Sequence, residues 1–414
     1  MISADQAFKK VVDSVRELGI ERVFIRQALG RILAEPIRSP RDIPGFDNSA
    51  MDGFAVRTAD LAAANQQLPV KLKVVETIAA GSEPTRGLGP GLAARIMTGA
   101  PVPEGADAVV PVEQTKFSDD TVEVSVSPSS GWCIRRRGED LAKDELVLPA
   151  RRQLRAADVG LLASLNRSMV DVYRRPRVAI VCTGDELVDI DRQPSGAQVV
   201  NSNAYSLAAA VNEAGAEATL LRVAKDRPEE IAERFREALC CDAILSTGGV
   251  SVGEFDHVKH VLRGLGLREV FHGVAQRPGK PLMFGMLQER PVFGLPGNPV
   301  SAFVCFELYG RPALHKMEGR EGWSLPRITV RCAQDIKSAV NVTEFIRVKI
   351  ERRDGEFYAT PSGEQGSGIL SALSRADGLL IGPAEKAVLP RGSQAEVMLL
   401  AWEAALGYSD AFEA

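Results

Sequence analysis

The sequence predicts a multidomain α/β plus β protein, with a central parallel-sheet α/β domain, an inserted small β domain and a C-terminal β domain. Three observations predict this. Apolar strand-like runs alternate with helical runs from residue 175 to about 320. Short strand-like segments broken by Gly, Pro and Asp fill stretches on both sides of that region. The 414 residues, 45% hydrophobic and 25% charged, suffice for several cores without disulfide support.

Each element follows from local pattern. Ser3 and Gln6 form a capping-box pair, and Phe8, Val11, Val12, Val15 and Leu18 recur at helical spacing up to Gly19. Pro40, Pro44, Gly45 and Gly53 then break regular structure. VKLKVVETI, RIMTG, AVVPVE and TVEVSV read as strands of the inserted domain, residues 46–137. LRAADVGLLASL returns to helix, and segments 1–45 and 138–174 are expected to pair as one discontinuous, elongated helical domain.

From 175 to 320 the order is RVAIVCT, NAYSLAAAVNEAG, EATLLRVA, PEEIAERFREAL, DAILST, FDHVKHVLRGLG, RPVFGL and PVSAFVCFELYGRPALHKM, alternately strand and helix. Such repeats imply a mostly parallel sheet buried on both faces. RITVRC, EFIRVKIE, EFYATP, GLLIGP and AEVMLLAW make the C-terminal β domain, residues 325–404.

Composition excludes some functions. A net charge of -4 disfavours nucleic acid as the main partner, because phosphate backbones need a basic face. The six cysteines contain no C-x-x-C, which fits a reducing compartment and neither a zinc set nor a disulfide framework. No basic-then-apolar leader and no spanning apolar run is present, so a cytoplasmic protein without membrane association is expected.

Chemistry-bearing residues concentrate in three loops that follow predicted strands. These are Thr183-Gly184-Asp185-Glu186, Thr247-Gly248-Gly249-Val250-Ser251-Val252-Gly253, and Leu295-Pro296-Gly297-Asn298-Pro299. Open α/β sheets bind ligands beyond the carboxyl ends of their strands, so the three loops should meet on one edge. Glycines there admit close backbone approach to an anion. Asp52, Asp140, Glu186, Asp226 and Asp256 sit at loop or element ends. Converging carboxylates near an anion site suit a hard cation such as Mg2+, although each alone also reads as a local cap or solvated group, Asp226 as a cap for the helix at Pro228. Arg277-Pro278-Gly279-Lys280-Pro281 holds two cations on a stiffened loop, while Arg135-Arg136-Arg137 reads more readily as a solvated run. His257 and His260 lack an evident third ligand.

The motifs together resemble the MoeA/gephyrin E-domain family of molybdopterin molybdenumtransferases, over about residues 3–400. The resemblance rests on Pro44-Gly45-Phe46-Asp47-Asn48-Ser49-Ala50-Met51-Asp52-Gly53 and on Met97-Thr98-Gly99-Ala100-Pro101. Gly138-Glu139-Asp140, the three loops above, Pro278-Gly279-Lys280-Pro281 and Asn298-Pro299-Val300-Ser301 follow in family order. It implies an α/β molybdopterin-binding domain at 175–320 similar to the molybdopterin adenylyltransferases, and a homodimer with its active site at the subunit interface. The implied reaction consumes molybdate and adenylylated molybdopterin, with Mg2+ assisting and AMP released. A molybdopterin adenylyltransferase would be the upstream donor.

The resemblance further implies catalytic roles for Asp52, Thr98, Asp140, Glu186, Asp226 and Asp256, with Glu186, Asp226 and Asp256 as metal ligands. Arg277, Lys280, Arg347, Ser367, Pro296, Pro299, Ser301, Gly248, Gly249 and Ser251 would contact molybdate or substrate. Two positions depart from the family pattern. Arg277 stands where relatives often carry Lys, and a planar guanidinium meets an oxyanion differently from an ammonium. Cys182 stands where Ser is common. A lone adenylyltransferase would not need the long N-terminal region carrying Asp52 and Thr98, and a pure scaffold would not need the acidic set.

Overall fold

A computed structural model describes residues 1–249 and 257–400. The chain divides into two compact units, one of residues 1–34, 151–155 and 169 onward, the other of residues 35–150 and 156–168. Helix α1 (Ala4–Ser14) begins with the predicted capping box, Ser3 Oγ accepting from Gln6 N and Gln6 Oε1 accepting from Ser3 N. It ends at Ser14, before Gly19.

The second unit is built on a six-stranded sheet of β1 (Gly53–Val56), β2 (Val70–Ile78), β3 (Leu92–Ile96), β4 (Ala108–Pro111), β5 (Thr115–Ser118) and β6 (Thr121–Val124), in the order β4-β1-β3-β2-β6-β5. VKLKVVETI coincides with β2, while RIMTG, AVVPVE and TVEVSV overlap β3, β4 and β6, RIMTG only at Arg95 and Ile96. Helix α2 (Ala156–Ser164) belongs to this unit. Segments 1–45 and 138–174 do pair, through antiparallel strands Ile20–Phe24 with Met169–Tyr173 and Ile37–Arg38 with Leu146–Leu148, but the two expected helices fall in different units. Helix α1 instead buries Ala7, Val11 and Val15 in the core of the α/β region, because its apolar stripe meets the stripe of the 299–317 helix.

In the first unit, β7 (Arg177–Cys182), α3 (Ser202–Glu213), β8 (Glu217–Leu220), α4 (Pro228–Ala238), β9 (Ala243–Thr247), α5 (His257–Gly264), β10 (Arg268–His272), β11 (Gln276–Arg277), β12 (Met283–Leu287) and β13 (Arg290–Leu295) follow in turn. The sheet order is β8-β7-β9-β13-β12-β10. The first four strands are parallel, β12 runs antiparallel to β13, and β10 at the edge runs antiparallel to β12. Sequence pattern did not reveal β10 and β12. The predicted strand EATLLRVA is shorter, ending at Leu220. Strand β9 is buried at every position, as a strand covered on both faces must be.

Helices α6 (Pro299–Cys305) and α7 (Arg311–Met317) are joined by a π-helical turn, Phe306–Gly310. The C-terminal sheet comprises β14 (Arg327–Cys332), β15 (Thr343–Arg353), β16 (Glu356–Pro361), β17 (Gly378–Gly382) and β18 (Gln394–Leu399). Strand β11 joins it alongside β15, and pairing of β15 with β17 closes it barrel-like.

His315 of α7 and Glu318, just after it, are buried and shift in opposite senses. His315 Nδ1 donates to Trp323 O at 3.0 Å, and burial with nearby Arg320 and Arg311 pushes its pKa down to about 3. Burial pushes Glu318 up to about 7, against the pull of Arg320 and Arg175. From pH 6.5 downward the unfolded chain binds a proton at His315 that the fold refuses, so acid destabilises. Between about 7 and 4.5 the fold binds a proton at Glu318 that the unfolded chain lacks, so acid stabilises. The two oppose each other between 6.5 and 4.5, and His315 acts alone from 4.5 to about 3. His315→Gln should lower the acid-side slope of stability by about one proton, read from denaturant midpoints across pH.

Candidate active site

The strand register places the three loops side by side. Cys182 of β7 lies opposite Thr247 of β9, and Thr247 lies opposite Leu295 of β13. Thr183 N donates to Thr247 O at 3.1 Å, and Asn203 Nδ2 donates to Gly297 O at 2.8 Å. The glycines are required by close approach. A Cβ on Gly248, at φ +89°, would stand 2.6 Å from Thr183 O, and one on Gly249, at φ +62°, 2.5 Å from a Val258 methyl. Ser251 and Asp256 lie outside the described residues.

Acidic groups gather at the β7 end of this edge. Asp185 N and Asp226 Oδ2 are 3.4 Å apart, as are Asp226 N and Asp185 Oδ1, and Lys225 Nζ donates to Asp185 O. Asp226 therefore does not cap α4, whose N-cap is Arg227 without a side-chain bond. The exposed Glu186 side chain lies over Gly184, where a Cβ would meet its Oε2 at 2.5 Å. Asp185 was not among the expected site residues, although it sits in the quoted loop. Among the described residues no three His, Cys, Asp or Glu converge on one metal position, and His257 and His260 gain no third ligand.

Cationic groups gather where the C-terminal domain meets the β13 loop. Strand β11 pairs with β15 so that Arg277 faces Glu344, with Arg277 Nε 3.4 Å from Glu344 Oε1. Three residues along β15 lies Arg347, only 1% exposed. One of its terminal nitrogens donates to Glu364 O and Gly366 O at 3.0 and 3.1 Å. Its buried Nε has no hydrogen-bond partner among the described residues. Burial pulls the Arg347 pKa down, Glu344 opposes this, and Arg277 adds to it. The same 364–367 segment reaches the β13 loop. Asn298 Nδ2 donates to Ser367 Oγ at 3.1 Å, and Val300 N donates to Ser367 O at 3.2 Å. Arg277, Arg347, Ser367, Pro299 and the buried Ser301 thus belong to one neighbourhood. Lys280 is exposed on the loop beyond Gly279. Glu344 was missed because its pairing with Arg277 spans a strand register that no local pattern encodes.

The second unit carries a separate carboxylate. Asp52 Oδ1 accepts from both Thr98 N and Thr98 Oγ1 at 2.7 Å, and these bonds hold its carboxyl below the usual range. Asp140 is exposed. The arginine run is not free cation. Arg136 pairs with Asp47 and Arg137 with Asp42, each at 2.6 Å.

Comparison with known proteins identifies the family. The model of the MoeA N-terminal region (domain I and II) matches residues 2–166, that of the probable molybdopterin binding domain 179–316, and that of the MoeA C-terminal region (domain IV) 329–400. A Nostoc molybdopterin molybdenumtransferase is 39% identical over 387 residues, covering 92% of this chain and 88% of the relative. That of Bacillus subtilis is 33% identical over 404 residues, covering 96% and 94%. Two crystal structures of the Pyrococcus horikoshii moeA protein superpose with TM-scores of 0.83 and 0.80 at 34% and 31% identity. Both cover 96% of this chain, and 99% and 100% of their own. No helix of the described residues is long and apolar enough to cross a membrane. The chain belongs to the MoeA family of molybdopterin molybdenumtransferases.

Proposed function

We propose that this protein is a molybdenum insertase of cofactor biosynthesis. It transfers metal from molybdate to the dithiolene of adenylylated molybdopterin and releases AMP. The observation that carries this reading is Arg347. A guanidinium stays charged in a protein, and this one is buried with an unpartnered Nε beside Arg277. Glu344, already paired with Arg277, is the carboxylate nearest both. A tetrahedral oxyanion supplies the missing charge and acceptors, and molybdate has that form. Lys280 and Ser367 extend the same anion site. The edge of β7, β9 and β13, with its glycine loops, receives the adenylylated pterin.

Glu186 and Asp226 offer only oxygen donors beside that edge, which fits the chemistry of Mg2+. Asp256, the third expected ligand, lies outside the described residues. A bound Mg2+ would neutralise phosphate charge as the phosphoanhydride is cleaved. The chain's own groups orient substrate and hold charge, with little covalent work. A second subunit would contribute Asp52 and Thr98, whose mutual bonds already fix the carboxylate. Asp140 would help to orient the nucleotide phosphate or the pterin. Because the proposed substrate is an adenylate, a molybdopterin adenylyltransferase would supply it, and we propose that the reaction runs in the cytoplasm.

The acidic assignment is tested with Glu186→Gln. The Mg2+ concentration for half-maximal AMP release should rise about 10–100-fold. An unchanged Mg2+ dependence would remove Glu186 from the metal site.

A further inference from the structure

Two cysteines outside the proposed site form a second chemical group. Cys240 and Cys241 follow α4 and precede β9, with their sulfurs 3.8 Å apart. Cys240 is exposed and Cys241 is buried. The remaining four thiols make no sulfur–sulfur contact among the described residues. The turn that carries the pair is fixed on both sides. Cys240 N donates to Glu237 O and Cys241 N to Ala238 O, while Arg177 donates to Cys240 O at 2.8 Å and Arg290 Nε to Cys241 O at 2.9 Å.

That spacing has a chemical meaning. A disulfide needs its sulfurs about 2.04 Å apart, so direct closure would have to distort a turn held by four hydrogen bonds. By contrast, two bonds of about 2.3 Å meeting at a tetrahedral centre set their sulfurs about 3.8 Å apart. The pair is therefore spaced for one bridging tetrahedral metal, and a pyramidal trivalent arsenic, with its narrower bond angles, needs the exposed Cys240 side chain to move slightly closer. Thiolate donors select soft ions; burial and Cys240 hold the Cys241 thiol protonated, against a weaker pull from Thr219 and Arg177, so binding must release its proton.

We infer that Cys240 and Cys241 form a two-thiolate site for a single thiophilic centre, either a soft metal cation or a trivalent arsenical. With an arsenoxide, R–As=O, each thiol forms one As–S bond, and the oxygen leaves as water with the two thiol protons. Arsenic stays trivalent, so no oxidant is needed. The solvent-facing Cys240 engages first and Cys241 completes the ring. The site lies at the amino end of β9, about 17 Å along the five-residue strand from the glycine loop.

The test titrates the reduced full-length protein with phenylarsine oxide and, separately, with Cd2+. Intact mass and the count of reactive thiols are followed for the arsenoxide, and the thiolate charge-transfer band for Cd2+. The expected result is one adduct per chain with two thiols consumed, reversed by a dithiol but not by a monothiol. Cys240→Ser sits at an exposed position and should fold normally. It should weaken arsenoxide retention about a hundredfold, since the second bond forms at high effective concentration only when both thiols are present. Cd2+ binding confined to the wild type, with no arsenoxide adduct, would assign the site to metal cations, and the reverse would assign it to arsenicals. An adduct that consumes one thiol, or that Cys240→Ser retains equally, would overturn the inference, as would failure of both probes. None of these outcomes depends on molybdenum insertion.

Discussion

Arg347→Met should reduce molybdate-dependent product formation by about 10²–10³-fold, the usual cost of removing one preorganised donor to developing or bound negative charge. The side chain is 1% exposed, and its terminal donors bind only backbone carbonyls in the 364–366 segment. Methionine is unbranched and of similar length without a charge, so the fold should survive. The loss should fall chiefly on the molybdate KM, with the Kd for adenylylated pterin nearly unchanged. Arg347→Lys should not restore wild-type activity, because an ammonium lacks the planar fork. Equal loss of pterin and molybdate binding would instead mean that the 363–368 loop had collapsed and that Arg347 is structural.

The largest stability effect should come from Glu307→Ala, at about 3–5 kcal/mol, the cost of leaving one member of a buried ion pair alone. Glu307 is 1% exposed and accepts two bonds from Arg311, at 2.6 and 2.9 Å, inside the α6–α7 helix. Burial raises the Glu307 pKa despite Arg311, so desolvation outweighs the attraction at that carboxyl. Glu213, 3.2 Å from the guanidinium and largely exposed, is a weak replacement partner. The double substitution Glu307→Leu with Arg311→Met should recover most of the loss, which a double-mutant cycle in denaturant would show as strong non-additivity. Additive losses would mean that the pair does not act as a unit.

Much of the fold was legible because its signals are local. The Ser3–Gln6 cap, the apolar run of β9 and the Pro228 helix start each declare themselves within a few residues. The glycine loops were legible as a set, since parallel strands deliver their carboxyl ends to one edge. What escaped was long-range. The place of α1 depends on which helix offers a matching stripe, and its sequence carries no address for that partner. Strand β10 alternates too weakly to stand out after α5, and β12, buried at every position, does not alternate at all. The Arg277–Glu344 contact and the joining of Arg347 to Ser367 through the 364–367 segment depend on register between distant strands. Resemblance supplied those residues one at a time, and the fold explains why they act together.

Coupling of AMP release to metal transfer is tested by giving the purified protein adenylylated molybdopterin, Mg2+ and low molybdate, and following AMP and metal-bound pterin together. Both should appear in equal amounts, and both should be lost in Arg347→Met. AMP release without metal-bound pterin, or metal-bound pterin formed equally well by Arg347→Met, would contradict it.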